Sequence, residues 1–367
     1  MMETLFNEKQ KPLALKILQG TRISATEAAE LFNGFSISQL SFLSSERKRQ
    51  ISGSNVYFNR NIHVEPTNIC VYQCRFCSYR ASSSDDSYIY SAEDIIRKIE
   101  QVENNITEVH ITGGVHPEWG IEYFGGLIGK IHNRFPNLHI KAFTAVEIEF
   151  MCQVDGISVE EGLKKLMQSG LQSLPGGGAE IFDEDIRLRI SPEKSSGKIW
   201  LDIHKTAHKL GMNTNATMLY GHIESYEQRI MHMESLRNLQ DETKGFQAFI
   251  PLKFRRANNP MSNVEEISLM EDLKNYAVAR IFLDNIPHLK AYWPAIGANI
   301  AQLSLLFGVD DLDGTINDST TIYSRAGAEN KPQMTSTGLI QLIHEAGFEA
   351  VERDSLYGII HKYKNHE

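Results

Sequence analysis

Cys70-Val-Tyr-Gln-Cys74-Arg-Phe-Cys77 places three thiols within eight residues, at spacings of four and three, and only Cys152 lies elsewhere in the chain. Incidental buried cysteines are a poor account of such clustering. Thiolates bind zinc, and His63 could complete a Cys₃His set, but zinc sites usually divide their ligands between two separated pairs and no second pair exists here. An iron–sulfur cluster is normally held by four cysteines, so three would leave one iron open. An open coordination position is useful where a substrate or cofactor fills it, as in catalytic rather than structural zinc sites.

The loop must be held by the elements around it, and the hydrophobic pattern gives short apolar runs alternating with longer amphipathic stretches. Strands are expected at Ile62–Glu65, Glu108–Thr112, Leu138–Phe143, Leu171–Leu174, Asn215–Leu219, Phe246–Pro251, Leu289–Trp293 and, more weakly, Asp311–Gly314. Capping-box starts precede the helices between them, at Ser91-Ala-Glu-Asp94, Ser158-Val-Glu-Glu161, Ser225-Tyr-Glu-Gln228 and Ser262-Asn-Val-Glu265. The last would open a helix with Ile267, Met270, Leu273, Ala277 and Ile281 on one face. Strands that alternate with helices pair in parallel, and eight such units are the count of a (β/α)₈ TIM-type barrel. The expected organisation is an N-terminal helical extension over 1–55, with Ser24-Ala-Thr-Glu27 as a further cap, the barrel over 56–335, and a C-terminal α/β tail over 336–367 packed on it. Ser82–Ser87 reads as a mobile loop.

In such a barrel functional side chains gather at the C-terminal strand ends. The cysteine loop follows the first strand, Gly113-Gly114 the second, and Pro175-Gly176-Gly177-Gly178-Ala179-Glu180 the fourth. Three consecutive glycines demand unusual dihedrals or a close backbone approach. Tyr220-Gly-His222 follows the fifth strand and Tyr292-Trp293 the seventh, while Asp310-Asp311-Leu-Asp313 would bring carboxylates to the eighth. His222 could serve as a general acid or base, or equally as a structural histidine. For Asp310 to Asp313 helix capping is the sober alternative. Cys152, in Glu149-Phe-Met-Cys-Gln-Val, reads as a small buried hydrophobe.

The three-cysteine CxxxCxxC loop, with aromatic Phe76 just before its last cysteine, resembles that of the radical S-adenosylmethionine enzymes. The resemblance implies a [4Fe–4S] cluster on Cys70, Cys74 and Cys77, with S-adenosylmethionine chelating the open iron and reduced to methionine and a 5′-deoxyadenosyl radical. It places Phe76, Tyr79, Gly113, Gly114, Glu147 and Arg189 at the cofactor: Gly113-Gly114 by backbone carbonyls beside the methionyl amino group, Glu147 on the ribose hydroxyls, Arg189 on a carboxylate. Val115 stands where the family often has Glu.

Beyond that loop, Asn61-Ile-His-Val-Glu-Pro-Thr-Asn-Ile-Cys70, Ile111-Thr-Gly-Gly-Val-His-Pro117, Ser173-Leu-Pro-Gly-Gly-Gly-Ala-Glu180, Asn215-Ala-Thr-Met-Leu-Tyr-Gly-His222, Pro287-His-Leu-Lys-Ala-Tyr-Trp293 and Asp310-Asp-Leu-Asp-Gly-Thr315 resemble the aminofutalosine synthase family of the futalosine route to menaquinone. That likeness implies addition of the adenosyl C5′ to the vinyl carbon of 3-[(1-carboxyvinyl)oxy]benzoate, aryl migration and decarboxylation, giving 6-amino-6-deoxyfutalosine and methionine. His63, Asn68, Arg189 and His222 are then candidates to meet the two substrate carboxylates, His63, Asn68 and His222 as catalytic residues; Gly176, Gly177, Gly178, Tyr220, Tyr292 and Asp313 are candidates to line the substrate. Arg255-Arg256 departs from the His-Pro or similar pair expected there. The related dehypoxanthine futalosine cyclase, in which the radical abstracts hydrogen, is the nearest rival, and a zinc-stabilised binding module is the rival of another class. An electron donor such as flavodoxin or ferredoxin is an implied partner.

Composition bounds these readings. The chain has 367 residues, 41% hydrophobic and 23% charged, enough for a substantial core. A net charge of −9 argues against a general nucleic-acid or anionic-membrane surface. No signal segment or membrane span is legible, and few cysteines suit a reducing compartment, so a cytoplasmic setting is expected.

Overall fold

The computed structural model describes residues 2–317, 322–328 and 333–364. Local caps set the helix starts. Ser24, Ser91, Ser158 and Ser225 each accept from the backbone N–H three residues on, and Glu27, Asp94, Glu161 and Gln228 reach back in full capping boxes. Ser262 does not cap a helix. The helix assigned to it starts later, at Leu269–Phe282, because Ser268 caps Glu271 instead; Leu273, Ala277 and Ile281 are buried and Met270 is exposed.

Strands lie where the apolar runs placed them: β2 Asn61–Val64, β3 Glu108–Ile111, β4 His139–Ala142, β5 Ser173–Leu174, β6 Asn213–Tyr220, β7 Phe246–Lys253, β8 His288–Ala291 and β9 Asp311–Leu312. They are preceded by β1 Asn55–Phe58 and followed by β10 Ile316–Asn317, β11 Gln333–Met334, β12 Glu349–Arg353 and β13 Ile359–Tyr363. The main sheet has 11 strands in the order β13-β12-β1-β9-β8-β7-β6-β5-β4-β3-β2. All its neighbours are parallel except β12 and β13.

The sheet curls into a partly closed barrel rather than the fully laddered one expected. β1 and β2 are successive stretches of chain, yet β1 sits between β12 and β9 while β2 lies at the far edge beside β3. Across the seam run an isolated bridge, Arg60 with Thr315, and the Thr315 hydroxyl, which accepts from Asn61 N (3.2 Å) and donates to Asn61 O (3.4 Å). Glycine at 314 permits this approach, since a Cβ there would stand 2.2 Å from Asn59 O. The final stretch, expected as a tail, contributes β12 and β13 to the same sheet.

Helices cover the outer face. Ala25–Gly34 and Ile37–Ser52 pack against Tyr226–Thr243 and Leu269–Phe282, burying Leu31, Phe32, Leu40 and Leu43. Cys152 is buried, its sulfur packed against Gly162. Among the described residues no helix is long and apolar enough to cross a membrane.

Candidate active site

The cysteine loop leaves β2 and is held at several points by main-chain hydrogen bonds. Val71 N donates to Val115 O (2.9 Å), Arg75 N to Ile190 O (2.8 Å) and Cys77 N to Cys74 O (3.1 Å). Gly114 N donates to Thr67 O (2.8 Å), and a Cβ on Gly114 would lie 2.2 Å from Ile69 O. The Gly-Gly pair is thus required by the approach of the loop's own backbone, whatever else it touches.

All three cysteines are free thiols; Cys74 is buried, and Cys70 and Cys77 are half-buried. Burial pushes Cys74 up to about 12 and raises Cys70 as well. Lys194 is the cation beside them. Its ammonium pairs with Glu180 at 2.6 Å and stands 5.3 Å from the centre of the Phe76 ring. Burial opposes its charge, but Cys74 and Glu180 outweigh burial and hold it protonated. A set of soft donors that must lose protons to ligate, next to a fixed cation, fits an iron–sulfur centre. His63 does not complete a zinc set: its Nε2 faces Asp313 Oδ2 at 3.6 Å, and among the described residues no three His, Cys, Asp or Glu stand together to hold one metal ion.

His63, Tyr292 and Asp313 are brought together at the barrel mouth. The His63 ring lies 6.1 Å from Tyr292 and 4.4 Å from His110, and Asn61 Nδ2 is 3.3 Å from His63 Nε2. Lys290 Nζ reaches Asp313 Oδ1 at 3.2 Å. Burial works against ionisation of Asp313, but Lys290 and then His63 overcome it and hold the carboxyl well below its usual range. His110 is driven the other way, chiefly by burial and then by His63, and is neutral. Tyr323 lies 5.1 Å from Tyr292, ring to ring, and its hydroxyl is raised by burial, then by Glu180 and Asp313.

Sequence reasoning missed Asn61, His110, Lys290 and Tyr323. A signal existed for three of them: Asn61 and His63, Glu108 and His110, and His288 and Lys290 are polar residues at alternate positions in strands that read as wholly buried, which places them on one face. Tyr323 lies in a short helix, Ile322–Arg325, with no such pattern.

Other expected site residues are engaged by the protein itself. Glu147, expected at a ribose, accepts at Oε2 from Thr144 N (2.7 Å) and Thr112 Oγ1 (3.0 Å), and at Oε1 from Gly113 N (3.1 Å). It closes a capping box and ties that helix to the Gly-Gly turn. Asn68 donates to Asp86 O (2.8 Å) and accepts from Tyr88 N (2.9 Å), which pins the segment read as a mobile loop; Ser84–Asp86 there forms a 3₁₀ turn, and Asp86 pairs with Arg325. Tyr79 is buried and donates to Thr67 O (2.9 Å). Tyr220 is buried and donates to Asp272 (2.9 Å), itself paired with Lys253. The His222 side chain is wholly buried, Nδ1 3.0 Å from Glu224 and Nε2 3.2 Å from Leu219 O, and burial depresses its pKa. These contacts position the turn.

The triple glycine has a similar explanation. A Cβ at Gly176 would meet Asn215 O at 2.1 Å, and at Gly177 and Gly178 it would meet Thr144 and Val146 side chains at 2.7 Å. Their carbonyls accept from Thr217 Oγ1, Trp200 Nε1 and Arg187 Nη2. Arg187 also donates to Ala179, Ile181 and Ser195 carbonyls. Arg189, the arginine favoured from sequence, is exposed. Asp310 and Asp311 cap no helix: Asp310 pairs with Arg280 and His288, and Asp311 with Arg353.

The model of the Radical SAM superfamily matches residues 64–236, and that of the CofH/MqnC C-terminal region matches residues 243–366. Aminodeoxyfutalosine synthase of Thermus thermophilus is 39% identical over 94% of this chain and 94% of its own length. Cyclic dehypoxanthine futalosine synthase of Halalkalibacterium halodurans is 34% identical over 96% of this chain and 95% of its own. Among solved structures, methylornithine synthase (PylB) superposes with a TM-score of 0.74 at 15% identity, covering 92% of this chain and 96% of that one, a likeness of fold.

Proposed function

We propose that this chain, which belongs to the radical SAM superfamily and uses that family's [4Fe–4S] cluster and S-adenosylmethionine, is an aminofutalosine synthase of the futalosine route to menaquinone. Its substrates would be S-adenosylmethionine and 3-[(1-carboxyvinyl)oxy]benzoate, and the reaction a carbon–carbon bond-forming transfer yielding 6-amino-6-deoxyfutalosine and methionine. The observation that carries this reading is the 39% identity to a synthase across 94% of both chains.

When bound, the cluster and S-adenosylmethionine supply a carbon-centred adenosyl radical. The chain's own part is to hold the centre, orient the acceptor and keep water out. Cys70, Cys74 and Cys77 would hold the cluster, with Lys194 offsetting the thiolate charge next to Cys74. Tyr292 and Tyr323 offer an aromatic wall against which a benzoate ring can lie. His63, steadied by Asn61 and Asp313, presents an imidazole to a substrate carboxylate, while Lys290 keeps Asp313 ionised. The buried strands beneath exclude solvent, and holding the acceptor in place lowers the barrier through orientation.

The test is anaerobic incubation of reconstituted protein with S-adenosylmethionine, the enol ether and dithionite, followed by mass analysis. A product that joins the adenosyl carbon to the benzoate supports the synthase. In a parallel incubation with dehypoxanthine futalosine in place of the enol ether, stoichiometric release of free 5′-deoxyadenosine would instead favour a cyclase, the second reading, which the 34% likeness to a cyclic dehypoxanthine futalosine synthase keeps in play. A colourless protein holding zinc would sink both.

A further inference from the structure

Tyr323 reaches the barrel mouth on a helix of only four residues, Ile322–Arg325, and so short a helix is not stable alone. Contacts from outside must hold it. The turn that follows closes on itself, Gly327 N donating to Ser324 O (3.1 Å) and Ala328 N to Tyr323 O (3.0 Å), so residues 322–328 form one compact strap. Its outward contacts are mostly polar. Arg325 grips Asp86 with both guanidinium arms, Nη1 to Oδ2 and Nη2 to Oδ1, each at 3.0 Å. Arg325 O accepts from Asn258 Nδ2 (2.7 Å), and Gly327 O accepts from Arg255 Nη2 (2.9 Å). Arg255 belongs to the pair that departs from the expected His-Pro, and this contact gives that departure a use. Its other partner is Glu266, 3.2 Å away. Gly327 has a φ of +86°, and a Cβ there would stand 2.7 Å from Ala257 Cβ, so strap and loop meet closely.

The two anchoring loops attach to opposite ends of the cysteine loop. Asn68, two residues before Cys70, donates to Asp86 O and accepts from Tyr88 N. Ser78, next after Cys77, donates to Ala257 O (2.7 Å) and accepts from Asn259 Nδ2 (3.1 Å). The strap is thereby tied to both ends, and its single aromatic ring, Tyr323, rests on Tyr292, which lies beside His63. These anchors are strong in direction and weak in energy. The side chains of Arg325 and Asp86 are 31% and 35% exposed; a bidentate fork fixes orientation, but a pair so open to water contributes little net free energy. A cover held in this way can open and close without disturbing the strands beneath it.

We propose that Arg325, assisted by Arg255, is a positioning residue that latches the 322–328 strap over the barrel mouth and so sets Tyr323 with Tyr292 against the aryl ring of the substrate. The identity of that ring rests on the synthase reading, whereas the latch rests on the contacts above. With the strap closed, the adenosyl carbon meets its acceptor where water and stray hydrogen donors are excluded. With it open, the acceptor is held less firmly and a donor from the medium competes. The donor's X–H bond then breaks as a C5′–H bond forms, which leaves the radical on the donor and releases free 5′-deoxyadenosine.

Amide hydrogen exchange, measured without turnover on anaerobically reconstituted full-length protein, reads the strap directly in peptides covering 322–328. Arg325→Ala should speed exchange there about fivefold, and Arg255→Ala by less, with iron per chain and Tm held at wild-type values. The exchanged pair, Asp86→Arg with Arg325→Asp, should bring the rate back towards that of the wild type. In dithionite-driven turnover Arg325→Ala should raise both the KM for the enol ether and the ratio of free 5′-deoxyadenosine to adduct, in about the proportion by which exchange rises. The exchanged pair should lower both again. Exchange at 322–328 that Arg325→Ala leaves at the wild-type rate overturns the latch. Faster exchange with an unaltered KM and product ratio overturns the positioning role and leaves a rim contact only. A wild-type protein that makes no adduct sinks the synthase reading and not the latch, which exchange still decides.

Discussion

Lys290 and Asp313 form an ion pair of 3.2 Å inside the barrel, with side chains 4% and 7% exposed, and Asp313 faces His63 at 3.6 Å. Neither charge has water to fall back on, so each depends on the other. Asp313→Asn leaves a buried ammonium without its counter-charge and should cost about 3–5 kcal/mol in urea unfolding. Replacing both, Lys290→Met with Asp313→Leu, should recover most of that stability while turnover stays lost, because His63 no longer has its acceptor. The Asp313 pKa is lowered, so its contribution is present at neutral pH and declines only as pH falls through and below the ordinary carboxylate range. A single variant as stable as the wild type would show that the pair is solvated.

Two arginines two residues apart should behave oppositely. Arg187 is buried and donates to the carbonyls of Gly178, Ala179, Ile181 and Ser195. Lysine cannot reproduce that fork, and Arg187→Lys should cost about 1–3 kcal/mol through unsatisfied carbonyls. Arg189→Ala, on the exposed side of the same helix, should change stability by no more than about 0.5 kcal/mol. Thermal melts of the two variants decide it; equal losses would mean the glycine turn does not need Arg187.

That contrast also locates what the sequence could and could not convey. The eight central strands were legible because buried parallel strands are short apolar runs set off by capped helices. β13 was not, because Ile359 and Ile360 lie in an exposed edge strand whose composition resembles a surface tail. At the site, the nearness of His63, Tyr292 and Asp313 was legible from their positions at strand ends. The partners that Glu147, Asn68, Tyr220 and His222 have within the protein were not legible, because a polar residue at a strand end looks the same whether it meets a ligand or another part of the chain. Two of those partners, Gly113 N for Glu147 and Asp86 O for Asn68, are backbone groups distant in sequence and carry no residue-type signature.

Lys48 gives a pH signature remote from the site. It is 1% exposed, donates only a long bond of 3.3 Å to Leu305 O, and lies 3.3 Å from the centre of the Phe348 ring. Burial depresses its pKa to about 7, with Asp310 opposing and Arg280 reinforcing the shift. Between that value and the ordinary lysine range the unfolded chain holds a proton that the fold does not. Stability should therefore rise with pH across this window. Lys48→Met should flatten the rise and add about 1 kcal/mol at pH 7, since an apolar side chain replaces a poorly compensated charge. Urea midpoints at pH 7 and pH 9 measure both effects, and an unchanged slope would place the Lys48 ammonium in contact with solvent.

The close approach at Gly114 makes the last prediction the most direct test of how the cysteine loop is held. A Cβ there would stand 2.2 Å from Ile69 O and 2.8 Å from Ile69 C, both backbone atoms that cannot swing aside as a side chain could. The segment Thr67 to Ile69 must move, and with it the bond from Gly114 N to Thr67 O. Thr67 is also tied to Tyr79 and Tyr88, so the displacement spreads to both sides of the cysteines. The strands below are not involved. Gly114→Ala should thus cost about 1–3 kcal/mol of stability, the usual range for overpacking, and still yield a folded barrel. It should lose most of its iron on anaerobic reconstitution, because three thiols must be placed together to hold one cluster. Iron per chain and the visible absorbance of the reconstituted protein read this out without turnover. Full iron loading in the alanine variant would mean that the loop is positioned by its cysteines and the bound centre, and not by the Gly-Gly turn beneath it.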